Sequence, residues 1–122
     1  MTHSPSTRRV ALVADAGSYV GPAIARLLAA RGHDLVLGDP AEGLADELGA
    51  LGAAVEVVAG VRNLSRPESA PNLVAAGLAR FGRIDAATAF SGRIVTGRFL
   101  TSSLADLQAA VSGCLEAPYH FL

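Results

Sequence analysis

The chain has 122 residues, of which 51% are hydrophobic and 17% charged, and its length fits one domain that can bury its own core. A formal net charge of −1 and the lack of a basic block exclude nucleic acid and anionic membrane surfaces as expected partners. No apolar run approaches the roughly 18–20 residues that a membrane-spanning helix needs.

The chain begins with a polar stretch, residues 1–7, which we expect to form a disordered lead-in. This stretch does not resemble a secretory signal, because the apolar run after it is interrupted by Asp15. The single cysteine, Cys114, excludes an internal disulfide and is typical of a reducing compartment. We therefore expect a cytoplasmic protein, with Cys114 as a small apolar residue of a helix rather than a reactive thiol.

The first predicted elements are a strand, a turn, a helix and a second strand. Residues 10–14 are continuously apolar, as a strand covered on both faces requires. Apolar residues recur at helical spacing over residues 20–30, where Pro22 suits the first helical turn. Residues 35–37 form the second strand. This order of elements is typical of a βαβ unit that binds a dinucleotide across its first turn.

Asp39 follows the second strand and allows two interpretations. Before Pro40 it suits the N-cap of a helix that continues to about Leu51. At the end of the second strand of a βαβ unit it also suits a hydrogen bond to the ribose hydroxyls of a dinucleotide. One residue can serve both purposes, and the sequence leaves both interpretations open.

The second half of the chain continues the alternation of strands and helices. Residues 55–59 have the pattern of a third buried strand, and residues 60–71 form a polar connection. A helix follows over residues 73–81 and is closed by Gly82. Residues 84–90 then predict a fourth, shorter strand.

A loop over residues 91–102 leads to the last predicted helix, which begins at Leu104. Ser103 and Asp106 have the spacing of a capping box at its start. Strands that alternate with helices at short connections predict an α/β fold: an open doubly wound parallel sheet, Rossmann-like, of about four strands with helices on both faces.

A phosphoacceptor receiver domain has a similar architecture and a similar length. It needs an aspartate at the end of its third strand and a later lysine to hold phosphate and Mg²⁺. Here the third strand ends with Val58, Ala59 and Gly60, and all ten basic residues of the chain are arginine. We therefore reject that class.

One stretch of the chain resembles the Thr-Gly-x-x-x-Gly-x-Gly turn of the short-chain dehydrogenase/reductase family: Ala14-Asp15-Ala16-Gly17-Ser18-Tyr19-Val20-Gly21. The resemblance continues in the same order along the chain. Asp39 stands where the family has an acid after the second strand, Gly60-Val61 where it usually has Asp-Val, and Phe81-Gly82-Arg83-Ile84-Asp85 where it has its helix-to-strand junction. Ala89-Phe90-Ser91-Gly92 stands at the family's Asn-Asn-Ala-Gly, and the stretch from Cys114 to Leu122 at its Asn-x-x-x-Pro-Phe helix. The resemblance implies that residues 8–122 are the Rossmann-like N-terminal domain of this family. We expect the family's remaining length to be missing from the chain.

The resemblance also implies a set of cofactor-binding residues: Asp15, Ser18, Val20, Gly21, Asp39, Gly60, Val61, Ser91 and Gly92. The carboxylate of Asp39 favours NAD over NADP, because it repels a 2′-phosphate. Asp15 and Tyr19 replace two of the three turn glycines, so that a charge and a bulky ring stand where the backbone approaches the pyrophosphate. We therefore expect binding to be weakened.

No catalytic residue is expected in this chain. The resemblance places the family's catalytic Ser and Tyr-x-x-x-Lys beyond Leu122, and Cys114 stands at the family's helical Asn. No lysine is present to lower the pKa of Tyr119, which we interpret as an aromatic residue that packs a helix. Because the family often pairs subunits through this helix, residues 104–122 predict a homo-oligomer. The alternative is a non-catalytic nucleotide-binding or protein-interaction module.

Overall fold

The computed structural model describes residues 7–90 and 97–122. Four parallel strands form one sheet: β1 (Val10–Val13), β2 (Asp34–Gly38), β3 (Val55–Val58) and β4 (Ala86–Thr88). Their order is β3-β2-β1-β4. The chain first adds strands on one side of β1 and then returns to its other side. The order therefore reverses between β1 and β4, and in sheets of this kind ligands bind at the carboxyl ends of the strands beside such a reversal.

The helices are α1 (Gly21–Ala30), α2 (Leu44–Ala50), α3 (Ser69–Phe81), α4 (Leu104–Val111) and α5 (Ala117–Phe121). A π-helical turn, Ser112–Glu116, joins α4 to α5. No helix in the described part of the chain is both long and apolar enough to cross a membrane.

Apolar side chains cover both faces of the central strands β1 and β2, whereas the outer strands β3 and β4 are partly exposed. On one face Ala11 and Val13 of β1 belong to a core with α1 and α2, to which Leu44 contributes. On the other face Val10 and Leu12 belong to a second core with α3 and α5. Alternate residues of one strand thus enter opposite cores, as the pleat requires. This arrangement confirms the predicted doubly wound α/β fold.

The predicted cap at Asp39 is wrong. Helix α2 begins only at Leu44, after Gly43, whose φ of 78° suits glycine. The carboxylate of Asp39 instead accepts hydrogen bonds from the backbone N–H groups of Gly60 and Val61. These two hydrogen bonds join Asp39 to residues that lie 21 and 22 positions later in the sequence. A long-range contact therefore prevails over a local helix signal.

The bounds of two further elements and the setting of Cys114 differ from the predicted ones. Helix α3 begins at Ser69, so that Pro71 lies in its first turn rather than in the preceding connection. A first-turn residue has no intrahelical acceptor for its N–H, so the ring is tolerated there. Strand β4 spans only Ala86–Thr88. Cys114 lies in the π-helical turn and is exposed rather than packed.

The predicted capping box of the last helix is confirmed. The N–H of Ser103 donates to the Asp106 carboxylate over 2.9 Å, and the N–H of Asp106 donates to the Ser103 hydroxyl over 3.2 Å. The interpretation of Tyr119 as a packing residue is wrong, because its side chain is 76% exposed and its ring meets only the edge of His120 among the described aromatic rings.

Candidate functional site

The candidate site lies at the carboxyl ends of β1, β2 and β4, around the turn between β1 and α1. Gly21 opens α1, and a Cβ at this position would overlap the carbonyl oxygen of Asp15. Only glycine therefore allows the helix to begin this close to the strand. This is the close helix–strand packing that the last glycine of a dinucleotide turn provides.

A second close approach was not anticipated from the sequence. A Cβ at Gly17 would lie 2.6 Å from the backbone carbonyl oxygen of Asp39. The turn after β1 therefore rests directly on the residue that follows β2. Gly17 can be seen in the sequence, but the need for glycine there becomes clear only from its contact with Asp39, which lies in a distant part of the chain.

Tyr19 adopts the conformation expected of the glycine that it replaces. Its φ is 53°, in the left-handed region, which costs an L residue roughly 1–2 kcal/mol. The side chain is 64% exposed, and its ring lies 4.8 Å from the ring of Phe90, measured between centroids. The backbone path of a glycine turn is thus kept, while an aromatic pair stands beside it.

Asp15 occupies the position of the first turn glycine and is half-buried. The Ser18 hydroxyl donates to its carboxylate over 3.3 Å. Burial raises the pKa of Asp15 above its ordinary value, against the opposing effects of the Ser18 hydrogen bond and the positive charge of Arg62. The carboxylate therefore lies in a setting that disfavours its ionised form.

Asp39 links the end of β2 to the connection after β3. Its own φ is 41°, and its two carboxylate oxygens accept the N–H groups of Gly60 over 3.0 Å and of Val61 over 2.9 Å. The N–H of Val61, one of the residues expected to bind the cofactor, is therefore directed at Asp39 in this structure. Each carboxylate oxygen keeps further acceptor capacity, which ribose hydroxyls can use.

Asp15 and Ser18 of the β1–α1 turn line a cleft of about 440 Å³. One wall is formed by the β1–α1 turn, the connection after β3 and the residues after β4, and it consists of Asp15, Ser18, Arg62, Asn63, Leu64 and Phe90. The other wall is formed by the last helices and consists of Ala109, Ser112, Gly113 and Ala117. Arg62 is the only cationic side chain among the described residues that line it. Sequence reasoning did not single out Arg62 or Asn63.

A smaller cavity of about 100 Å³ adjoins the start of α1. Asp15, Val20, Gly21 and Phe90 line it, together with Thr88. The Thr88 hydroxyl oxygen is buried and has no hydrogen-bond partner within the described ranges. This cavity therefore offers one unsatisfied polar group in otherwise mainly apolar surroundings.

The predicted site residues fall into three groups in the structure. Asp15 and Ser18 line the cleft, and Val20 and Gly21 the smaller cavity beside it. Asp39, Gly60 and Val61 are joined by hydrogen bonds. Ser91 and Gly92 lie outside the described residues. Over residues 7–90 and 97–122, no group of three or more His, Cys, Asp or Glu side chains could hold a metal ion.

Two curated relatives match most of the chain, although no family model matches it. It is 41% identical over 85 residues to cis-4-hydroxycyclohexanecarboxylate dehydrogenase of Sinomonas cyclohexanicum, covering 69% of this chain and 34% of the relative. It is 38% identical over 105 residues to the ketoacyl reductase assigned to the monensin polyketide synthase of Streptomyces virginiae, covering 83% of this chain and 39% of the relative.

Solved structures match over nearly the whole chain. A 3-oxoacyl-[acyl-carrier protein] reductase from Brucella melitensis is 31% identical with a TM-score of 0.81, covering 94% of this chain and 48% of that one. The same reductase in complex with NAD has a TM-score of 0.80, with 94% and 46% covered. An actinorhodin polyketide ketoreductase with NADPH has a TM-score of 0.81 at 24% identity, with 93% and 44% covered.

The sheet order, the helices on both faces and the close-packed turn after β1 define a Rossmann-like α/β domain. The sequence and structure matches place the chain in the short-chain dehydrogenase/reductase family, which confirms the predicted resemblance. The chain spans between a third and two-fifths of the curated relatives and about half of the solved structures.

Proposed function

We propose that this chain supplies the nucleotide-binding half of an NAD(P)-dependent short-chain oxidoreductase and does not catalyse hydride transfer by itself. The observation that carries the proposal is the approach of Gly21 to the Asp15 carbonyl beside the reversal of strand order. Val20, the N-cap residue before α1, provides no side-chain cap, so the positive end of the helix dipole faces the turn, where an anion such as a pyrophosphate can bind.

The cofactor is a nicotinamide dinucleotide, and we propose NAD in preference to NADP. A structural neighbour that is 31% identical was solved with NAD, which supports the class of ligand. Asp39 follows β2; its backbone carbonyl lies close to Gly17 of the β1–α1 turn, and its carboxylate accepts N–H groups of the connection after β3. An anionic group in this position favours ribose hydroxyls and repels a 2′-phosphate.

The lack of catalysis follows from the residues that the chain contains. Hydride transfer in this family uses a tyrosine whose pKa is lowered by a lysine, and these 122 residues include no lysine. The position of the helical asparagine holds Cys114, which is exposed. Tyr119 does not line either cavity. Purified chain is therefore expected to produce no NADH from any alcohol substrate.

Calorimetric titration of the purified chain with NAD, NADH and NADPH tests the proposal. We expect weak binding of NAD and NADH and weaker binding of NADPH. No heat with any of the three at millimolar concentration would overturn the binding part. NADH formation that depends on an added alcohol would overturn the inactivity of the chain alone.

A non-catalytic nucleotide-binding or protein-interaction module is the second candidate. The observation that favours it is the presence of a charge and an exposed ring at two glycine positions of the turn, Asp15 and Tyr19. The same titration separates a protein-interaction module from the first candidate, because a module that binds only other proteins gives no heat with any dinucleotide.

We further propose a cytoplasmic homo-oligomer that associates through residues 104–122. Leu104, Leu107, Leu115 and Tyr119 are between 60% and 76% exposed, which is unusual for four large side chains on neighbouring turns. Their burial between two copies would remove apolar surface from water. Sedimentation velocity is expected to show concentration-dependent association, and a clean monomer at high concentration would contradict this interface.

A further inference from the structure

Arg62 lies at the point where the connection after β3 meets the β1–α1 turn. The two hydrogen bonds from Gly60 and Val61 to Asp39 fix the backbone immediately before it. A Cβ at Gly17 would lie 3.8 Å from a terminal guanidinium nitrogen of Arg62. The guanidinium therefore lies over the turn that replaces the family's glycine motif.

The charge of Arg62 faces the cleft without a protein partner to neutralise it fully. Over residues 7–90 and 97–122, Arg62 makes no hydrogen bond and no ion pair, and it is exposed. Burial raises the pKa of Asp15, and the positive charge of Arg62 opposes that rise. By contrast, Arg26 and Arg80 donate to Glu47 and Glu56 over 2.9 Å. Arg62 thus keeps its donor groups available to a ligand in the cleft.

An anionic ligand in this cleft would meet both Asp15 and Arg62. The Asp15 carboxylate at a former glycine position repels a phosphate group, and a guanidinium beside it offsets that repulsion. A guanidinium also presents paired N–H donors that match two phosphate oxygens. The substitution at Asp15 and the placement of Arg62 are therefore best understood together.

We propose that Arg62 binds a phosphate group of the dinucleotide and compensates the negative charge of Asp15. This inference rests on the proposed function, since it deepens the description of the same site. A nicotinamide dinucleotide carries phosphate at two places: the pyrophosphate, which NAD and NADP share, and the 2′-phosphate, which only NADP has. Arg62 acts as a binding residue in either case, and it has no counterpart among the residues that the family resemblance indicated.

The test compares Arg62→Ala with wild type in titrations with NAD and with NADP. Arg66→Ala is the matched control, because Arg66 is an exposed arginine four residues away whose weak pair with Glu68 spans 3.9 Å and which does not line the cleft. We expect Arg62→Ala to weaken binding about tenfold or more, as the loss of a charged hydrogen bond does, and Arg66→Ala to leave it unchanged. Arg62→Gln, which keeps a long polar side chain, provides a second variant if the alanine variant does not fold.

The pattern across ligands identifies the phosphate group. Equal weakening for NAD and NADP supports contact with the pyrophosphate, and weakening for NADP alone supports contact with the 2′-phosphate. Unchanged affinity of Arg62→Ala for both dinucleotides would overturn the inference while leaving the proposed function intact. If wild type binds neither dinucleotide, the proposed function fails, and titration with inorganic pyrophosphate then tests Arg62 by itself. Equal pyrophosphate affinity of wild type and Arg62→Ala overturns the inference, and a loss of pyrophosphate affinity in the variant supports it.

Discussion

The rings of Tyr19 and Phe90 lie 4.8 Å apart between centroids, inclined by 39°, where the β1–α1 turn meets the residues after β4. Tyr19 stands at a glycine position of the family's turn and has the positive φ that a glycine would adopt without cost. The ring pair contributes about 0.5–1.5 kcal/mol, which is comparable to the roughly 1–2 kcal/mol of backbone strain. The packing contact therefore compensates a strained backbone beside the proposed dinucleotide site.

Tyr19→Gly is expected to raise dinucleotide affinity with little change in stability. The substitution removes the ring from the approach to α1 and relieves the positive φ, while it loses the contact with Phe90. Titration with NAD and thermal unfolding of the same sample measure both effects. Phe90→Ala is the control: it removes the ring contact and keeps the strain, so its melting temperature should fall. Unchanged affinity in Tyr19→Gly would show that the ring does not obstruct the site.

Gly21→Ala is expected to destabilise the domain by at least about 2 kcal/mol, since its Cβ would overlap the Asp15 carbonyl oxygen. Gly49→Ala is the matched control, because Gly49 lies inside α2 and an added Cβ there meets no atom within 4 Å. That control is expected to stabilise the domain by about 0.5–1 kcal/mol through helix propensity. Urea unfolding measures both. Equal stabilities of the two variants would contradict the close packing at Gly21.

Asp39→Ala is expected to lower stability by about 1–3 kcal/mol, because it leaves the N–H groups of Gly60 and Val61 without their acceptor. It should also reduce the preference for NAD, since the charge that opposes a 2′-phosphate is removed. Asp39→Asn keeps one acceptor oxygen and should fall between alanine and wild type in stability. A ratio of NAD to NADP affinity that is the same in all three proteins would argue against a selective role for Asp39.

The stability gained in Asp15→Asn is expected to depend on pH. Burial raises the pKa of Asp15 in the folded state above the ordinary 3.8, so ionisation of this carboxyl opposes folding. The cost is absent below pH 3.8, develops as the pH rises through the folded pKa and is complete above it. Asp15→Asn should therefore be more stable than wild type at pH 7, with the difference vanishing toward pH 3.5. A difference that is independent of pH would show that the pKa of Asp15 is not shifted.

The local pattern of the sequence was sufficient for the elements and for their arrangement in layers. Four short apolar runs separated by helical periodicity predict parallel strands, and Ser103 with Asp106 predicts the start of α4. The expected burial holds for β1 and β2, whereas the outer strands β3 and β4 are partly exposed. These signals are local: they depend on side chains within a few residues, or on burial that continuous apolar runs require. The same register also revealed the family, because spacing along the chain survives changes at individual positions.

The tertiary structure alone decided what the residues of the site do. Asp39 serves as an acceptor for the connection after β3 rather than as a helix cap, because the parallel pairing of β2 with β3 brings distant backbone N–H groups to it. Gly17 and Arg62 acquire importance only through contacts with the turn and with residues far along the chain. The sequence by itself therefore determined the fold and the family, whereas charge balance and access at the site depend on long-range contacts that no local pattern encodes.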